Sequence, residues 1–145
     1  MTEMLDDYHE LYAYTMGRPR FILQHVVDAH LAQTATATSK PIGVIFALAG
    51  LYLHLECGFT GVQVQQAHTR LAQRKREWPR IPLPVERGGM TPRDVMALPE
   101  GDERDAAIVR WCQSVWDAFR DSREIVIGIL REHQRMARSP PPRSR

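Results

Sequence analysis

The strongest constraint on this chain is the run Ile42-Gly43-Val44-Ile45-Phe46-Ala47-Leu48-Ala49-Gly50-Leu51-Tyr52-Leu53-His54-Leu55, which contains no Asp, Glu, Lys or Arg. A segment apolar on every side must be surrounded, either by lipid or by other parts of a protein. It is shorter than the ~20 residues a bilayer crossing needs, and Gly43 and Gly50 interrupt it. Protein therefore surrounds it, and the run is predicted to be a central helix. Ser39 is placed as its N-cap with Pro41 in the first turn, and Gly58 stands where a helix-ending glycine belongs.

The segments around it carry helical patterns that can wrap this centre. Leu5, Tyr8, Leu11, Tyr12 and Met16 recur at helical spacing behind Glu3, Asp6 and Asp7, until Gly17-Arg18-Pro19 stops the pattern. A second helix is predicted over 21–33. A fourth starts at Thr60 and ends near Glu77, with Val64, Ala67, His68 and Leu71 inward. Trp78-Pro79-Arg80-Ile81-Pro82-Leu83-Pro84 cannot be helical, because three prolines restrict their own backbone and that of their predecessors. Thr91-Pro92-Arg93-Asp94 then opens a short helix to about Ala97. From Glu103 to about Met136 one stripe (Ile108, Trp111, Cys112, Val115, Phe119, Val126, Ile129, Leu130, His133) predicts a helix of up to ~45 Å, with room for a kink near Asp121 or Gly128. The prediction is an all-α fold: a four- to five-helix bundle with a long C-terminal helix and a proline-rich crossing loop. It occupies residues 1–136 as one domain, and 137–145 are expected to form a disordered basic, proline-rich tail.

A formal net charge of +2 over 145 residues, from 19 Lys and Arg against 17 Asp and Glu, sets up no global field that would demand nucleic acid or an anionic membrane. The basic clusters at Arg70–Arg80 and Arg135–Arg145 read as solvated helix ends, and no nucleic-acid partner is expected. Cys57 and Cys112 lie in apolar patterns and read as reduced core thiols. With an acidic start in place of a signal-like one, a cytoplasmic protein is expected.

Within helices otherwise apolar, a few polar residues stand out. Gln24, His25 and Asp28 lie within about 80° of one another on a helical wheel. An imidazole and a carboxylate one turn apart can share a divalent metal, or the acid can orient the ring for proton transfer. The same stripe read structurally is a solvent face, or a place where Asp28 meets a core tyrosine. Folding the first two helices back on each other sets Tyr8 level with Asp28, which makes Tyr8 a candidate ligand contact. Mirroring across the 34–40 connector sets His25 beside Ala49 and Gly50, with His54 and Glu56 offset by ~8 Å or more. His54 and Glu56 project about 160° apart, so a single site uses one or the other. The candidate metal ligands are thus His25, Asp28 and Glu56, for zinc, nickel or iron; Tyr8 and His54 are candidate ligand-binding residues. His30 and His68 read as core histidines, and Trp111, Trp116 and Phe119 as core or as a dimer surface.

Several segments occur together in order: Tyr8-His9-Glu10-Leu11; His25-Val26-Val27-Asp28-Ala29-His30; Gly50-Leu51-Tyr52-Leu53-His54-Leu55-Glu56-Cys57-Gly58; the Trp78–Pro84 strap; and Trp111-Cys112-Gln113-Ser114-Val115-Trp116. Together they resemble an uncharacterised bacterial family of small helical-bundle proteins, a domain of unknown function. That resemblance implies His25, Asp28 and Glu56 as signature positions. The architecture is more remotely similar to DinB-like metal-binding bundles, which imply a divalent ion on histidines of different helices. No glycine-rich phosphate loop, Ser/His/Asp signature or His-Glu-x-x-His occurs, and whether the chain is an enzyme stays open. The expected function is binding of a small ligand or divalent metal between helices. The alternative is a non-catalytic interaction module, homodimeric through the Trp/Phe face of the last helix.

Overall fold

A computed structural model describes residues 2–138, and the side chains of residues 5–134. The chain forms α1 (Thr2–Thr15), α2 (Leu23–Thr34), α3 (Pro41–Leu55), α4 (Gly61–Ala72), α5 (Pro92–Met96), α6 (Asp102–Ala118) and α7 (Arg123–Arg138), with 3-10 turns at Pro19–Phe21 and Arg120–Ser122. The expected all-helical fold is present, and no strand occurs among the described residues. The α7 helix runs to Arg138, past the expected domain end at 136, and residues 139–145 of the expected tail lie outside the described residues. No helix among the described residues is long and apolar enough to cross a membrane.

The apolar run is the centre, as its composition requires. Val44, Ile45, Ala47 through Leu51 and Leu53 are buried, and α3 packs against α2, α4, α6 and α7. Lys40 rather than Ser39 holds the N-cap position; Ser39 Oγ instead accepts the Thr36 N–H at 2.9 Å and closes the connector. Thr60 caps α4 as predicted, its hydroxyl taking the Gln63 N–H while the Gln63 side chain takes the Thr60 N–H.

Two boundaries differ from the sequence expectation, and the second brings the count to seven α-helices among the described residues. The α4 helix ends at Ala72, where Gln73 and Arg74 donate to Arg70 and Leu71 in tighter i→i−3 bonds. The long C-terminal helix is two helices. At Phe119 (φ −97°, ψ 18°) the ladder tightens to i→i−3 bonds, Phe119 to Trp116 and Ser122 to Phe119. Phe119 is buried there, and the break redirects the chain. A straight helix could not lay α6 against both α2 and α3 and then bring α7 back onto α3.

The proline strap crosses the bundle without helix, as expected, burying Ile81 and setting Trp78 edge-on to Phe46. Its anchor is Arg87. That guanidinium donates to the carbonyls of Pro84 (2.6 Å), Ala35 (2.8 Å), Ala32 (3.2 Å) and Gln33 (3.2 Å), so it caps the end of α2, whose last carbonyls have no helical partner. Gln33 completes the junction, donating to the carbonyls of Arg87 and Met90 and accepting from Trp111 Nε1 at 3.0 Å. Replacing Arg87→Ala leaves several carbonyls unmet and should lower stability by about 2 kcal/mol in urea unfolding. An unchanged midpoint would mean that apolar contacts alone hold the strap.

Candidate functional site

The α2 and α3 helices pack so closely that Asp28 lies directly against Gly50. A Cβ at Gly50 would overlap Asp28 Oδ2 and come within 3.1 Å of Val64 Cγ1 from α4, so only glycine leaves room for the carboxyl group. Asp28 is 3% exposed; one oxygen accepts from Gln24 Nε2 at 3.0 Å, and Oδ2 has no partner among the described residues. Burial pushes the Asp28 pKa well above the usual carboxylate range, the Gln24 bond pulling only partly the other way. Cys112 packs beneath, its thiol meeting the His25 carbonyl at 3.6 Å and pushed up by burial and by Asp28.

This register corrects the mirrored one expected from the connector. Pairing Asp28 with Gly50 slides α3 by about one helical turn, and His54 comes onto His25. The two rings stack with centroids 3.5 Å apart and planes 11° from parallel. His25 is 4% exposed. Burial, then the neighbouring His54, lowers its pKa to about 3. Burial also lowers that of His54, opposed by a hydrogen bond to the Phe59 backbone. Both imidazoles are therefore neutral near pH 7. His25 Nδ1 and His54 Nε2 have no hydrogen-bond partner among the described residues.

Both histidines face a cavity of about 530 Å³, walled by Ile22, Phe59, Ile108 and Val109 and rimmed by Arg18, Arg20, Thr60, Asp102 and Asp105. Arg18 donates to Asp105 Oδ2 through Nε (3.0 Å) and Nη2 (2.6 Å), and the Tyr14 hydroxyl donates to Asp105 Oδ1 at 2.6 Å. Also at the rim, the chain enters α2 through Arg20 (φ 63°) and Phe21 (φ 56°), two successive residues in left-handed backbone. The first residue of α4 fixes that turn: a Cβ at Gly61 would overlap the Phe21 carbonyl.

The remaining candidates lie elsewhere. Tyr8 stacks on His30 (3.6 Å, 5°) away from the cavity lining, its hydroxyl raised by burial and by Tyr12 and Asp28. Glu56 is not brought to His25 and Asp28. It accepts from Arg123 Nη2 (2.5 Å) and Nε (2.9 Å) and from Trp116 Nε1 (2.7 Å), and chiefly the guanidinium holds its carboxyl below the usual range. Among the described residues no group of three or more His, Cys, Asp and Glu is placed to hold a metal ion. His68 is the satisfied core histidine expected, meeting the Phe46 carbonyl at 2.7 Å, whereas His30 Nδ1 has no partner among the described residues. The rim residues Arg20 and Phe21 carry no sequence signal, since left-handed backbone is rare at arginine or phenylalanine. Gly61 directly after an N-cap threonine was the one visible hint of close approach.

Over residues 5–120 the sequence matches the model of a family of unknown function, DUF5946. The chain belongs to that family. No curated protein and no solved structure matches it, so the remoter likeness to DinB-like bundles carries no argument. The matched span contains His25, Asp28, Gly50, His54 and the whole cavity lining, while α7 lies beyond it.

Two measurements probe this packing. Gly50→Ala should lower stability by about 2 to 3 kcal/mol and by much less in an Asp28→Ala background, a coupling read by a double-mutant cycle. The titrations of Asp28 and His25 run in opposite directions. Asp28, raised in the fold, contributes stability that is lost as pH rises above the ordinary carboxyl value, so Asp28→Asn should be more stable than the parent at pH 7. His25, lowered in the fold, contributes stability that is lost as pH falls from about 6.5 toward 3. Over that window His25→Phe should show an acid slope shallower by up to about 1.4 kcal/mol per pH unit. Equal slopes would place His25 in water.

Proposed function

We propose that this chain binds a small organic molecule in the cavity between α2, α3 and α6, anchored by His25 and His54. The observation that carries the reading is the stacked imidazole pair. Both rings line the same open space, where imidazole edges can give or take a hydrogen bond. Here the pair faces a space of about 530 Å³, within the range typical of ligand sites, with apolar walls and few polar groups converging on it. A ligand with one donor or acceptor directed at the ring edges that line the space would bond to them.

A divalent ion, zinc, nickel or iron, is the weaker form of this reading. Imidazole lone pairs lie in the ring plane, so two rings stacked face to face direct them side by side and not toward one point. Chelation would require one ring to turn. Asp28, seated on Gly50, and Glu56, held by Arg123, offer no third donor. Acid–base catalysis is also disfavoured, since a pKa of about 3 makes His25 a poor base near neutrality. The interaction-module alternative loses its expected surface: Trp111, Trp116 and Phe119 are 0%, 3% and 1% exposed within the chain's own core. A homodimer would have to use another face.

Imidazole resonances of His25 and His54 followed by ¹⁵N-detected NMR against a fragment library should reveal saturable ligands. His25→Phe and His54→Phe, both folded, should weaken them at least tenfold. A library without any ring-perturbing hit would end the organic-ligand reading. A ring shift with zinc or nickel chloride, reversed by EDTA, would restore the ion in its place.

A further inference from the structure

We propose that the ligand of this cavity carries an oxyanion, carboxylate or phosphate, and that Arg20 receives it; the inference rests on the cavity reading above. Four charged residues line the space, Arg18, Arg20, Asp102 and Asp105, and formally they cancel. Their positions do not. Asp105 is closed off by two bonds from Arg18 and one from Tyr14. Asp102 sits in the first turn of α6, where an acid complements the helix N-terminus, and its field falls on the same Arg18. Arg20, also on the rim, is exposed and makes no hydrogen bond or ion pair with any described residue. It is the cation of this cavity still open to a partner. Beside it Thr60 opens the twelve-residue helix α4, whose N-terminal end favours negative charge.

The backbone supplies an independent observation. Arg20 (φ 63°, ψ 13°) and Phe21 (φ 56°) both occupy the left-handed region, which suits glycine or asparagine and not a long cation followed by an aromatic. Gly61 fits under Phe21 and holds the turn in place. That packing fixes where Arg20 stands at the cavity mouth. At the floor the rings of His25 and His54 line the space and can hydrogen-bond through the edges that face it. Ile22, Phe59 and Val109 line the space between. The matching ligand has an oxyanion at one end, which a guanidinium can grip with two parallel bonds, a short apolar body, and a polar atom at the other.

The test uses four probes of one shape, benzoate, phenyl phosphate, benzyl alcohol and benzylamine, titrated into the full chain while the His25 and His54 ring resonances are followed. Benzoate and phenyl phosphate should bind at least tenfold more tightly than the alcohol or the amine. Arg20→Gly relaxes the turn, so it should raise the melting temperature while weakening benzoate tenfold or more; Arg20→Lys should retain part of the affinity. Equal binding of benzyl alcohol and benzoate, preference for benzylamine, or undiminished benzoate binding in Arg20→Gly would each overturn the oxyanion assignment while leaving the cavity reading in place. If no probe moves either ring, the assignment falls as well, and the cavity reading is then decided by the fragment library.

Discussion

The contact between Asp28 and Gly50 sets the register from which the other features of this molecule follow. Helices with ordinary side chains at their crossing stand 8 to 10 Å apart; a glycine facing a short carboxylic acid lets α2 and α3 approach more closely and fixes how far along each other they lie. Shifted by one residue, the acid would meet Ala49 or Leu51, and no place for it would remain. The register stacks His25 on His54 and turns both rings toward the same cavity. It also leaves Asp28 Oδ2 dry and unpartnered, which favours the neutral acid. A buried neutral acid and two neutral imidazoles make the α2–α3 contact polar without being charged.

The periphery holds this centre in place with charge-assisted bonds at helix ends. Arg87 closes the C-terminus of α2, Arg104 donates to the carbonyls of Leu98 and Met96 ahead of α6, and Glu56 ties the end of α3 to Trp116 and Arg123. Surface ion pairs contribute little by themselves. These differ in that each guanidinium or carboxylate meets several groups on different elements, so they determine the placement of helix ends around the cavity more than total stability. In this setting Glu56, a signature position of the family resemblance, acts as a strut: its carboxylate is fully occupied by partners on α6 and α7.

How much of this was legible in the sequence depends on whether the deciding force was local. The apolar run of α3, the Thr60 cap and the proline strap follow from composition, capping and backbone restriction, and the structure has them as expected. The break at Phe119 was not readable as a full stop, because the stripe from Ile108 to Leu130 stays in helical phase and only the need to reach both α2 and α3 demands a turn. The α2–α3 register departs from the mirrored one because a symmetric mirror across the 34–40 connector assumes that both helices begin level with it. That mistake separated His54 from His25. Glycines at 43 and 50 look alike in sequence, yet only Gly50 meets a side chain across the interface.

Departures from the usual rules are not spread evenly through the fold. The left-handed pair Arg20–Phe21, the close approaches at Gly50 and Gly61, the unpartnered atoms of His25, Asp28 and His54, and the free guanidinium of Arg20 all fall within the turn into α2, the α2–α3 contact and the start of α4. Elsewhere the buried Nδ1 atoms of His30 and His133 also have no partner among the described residues, and Gly88 approaches Ser114 closely. A chain selected only to fold would have relaxed these positions first, with glycine or asparagine at 20, an apolar residue at 28 and a bulkier one at 50. Of these residues Arg20, His25 and His54 line the cavity, whereas Asp28, Gly50 and Gly61 set the helix packing beside it. The strained turn and the stacked histidines border one cavity, and the register that Asp28 and Gly50 impose sets the histidine side of it.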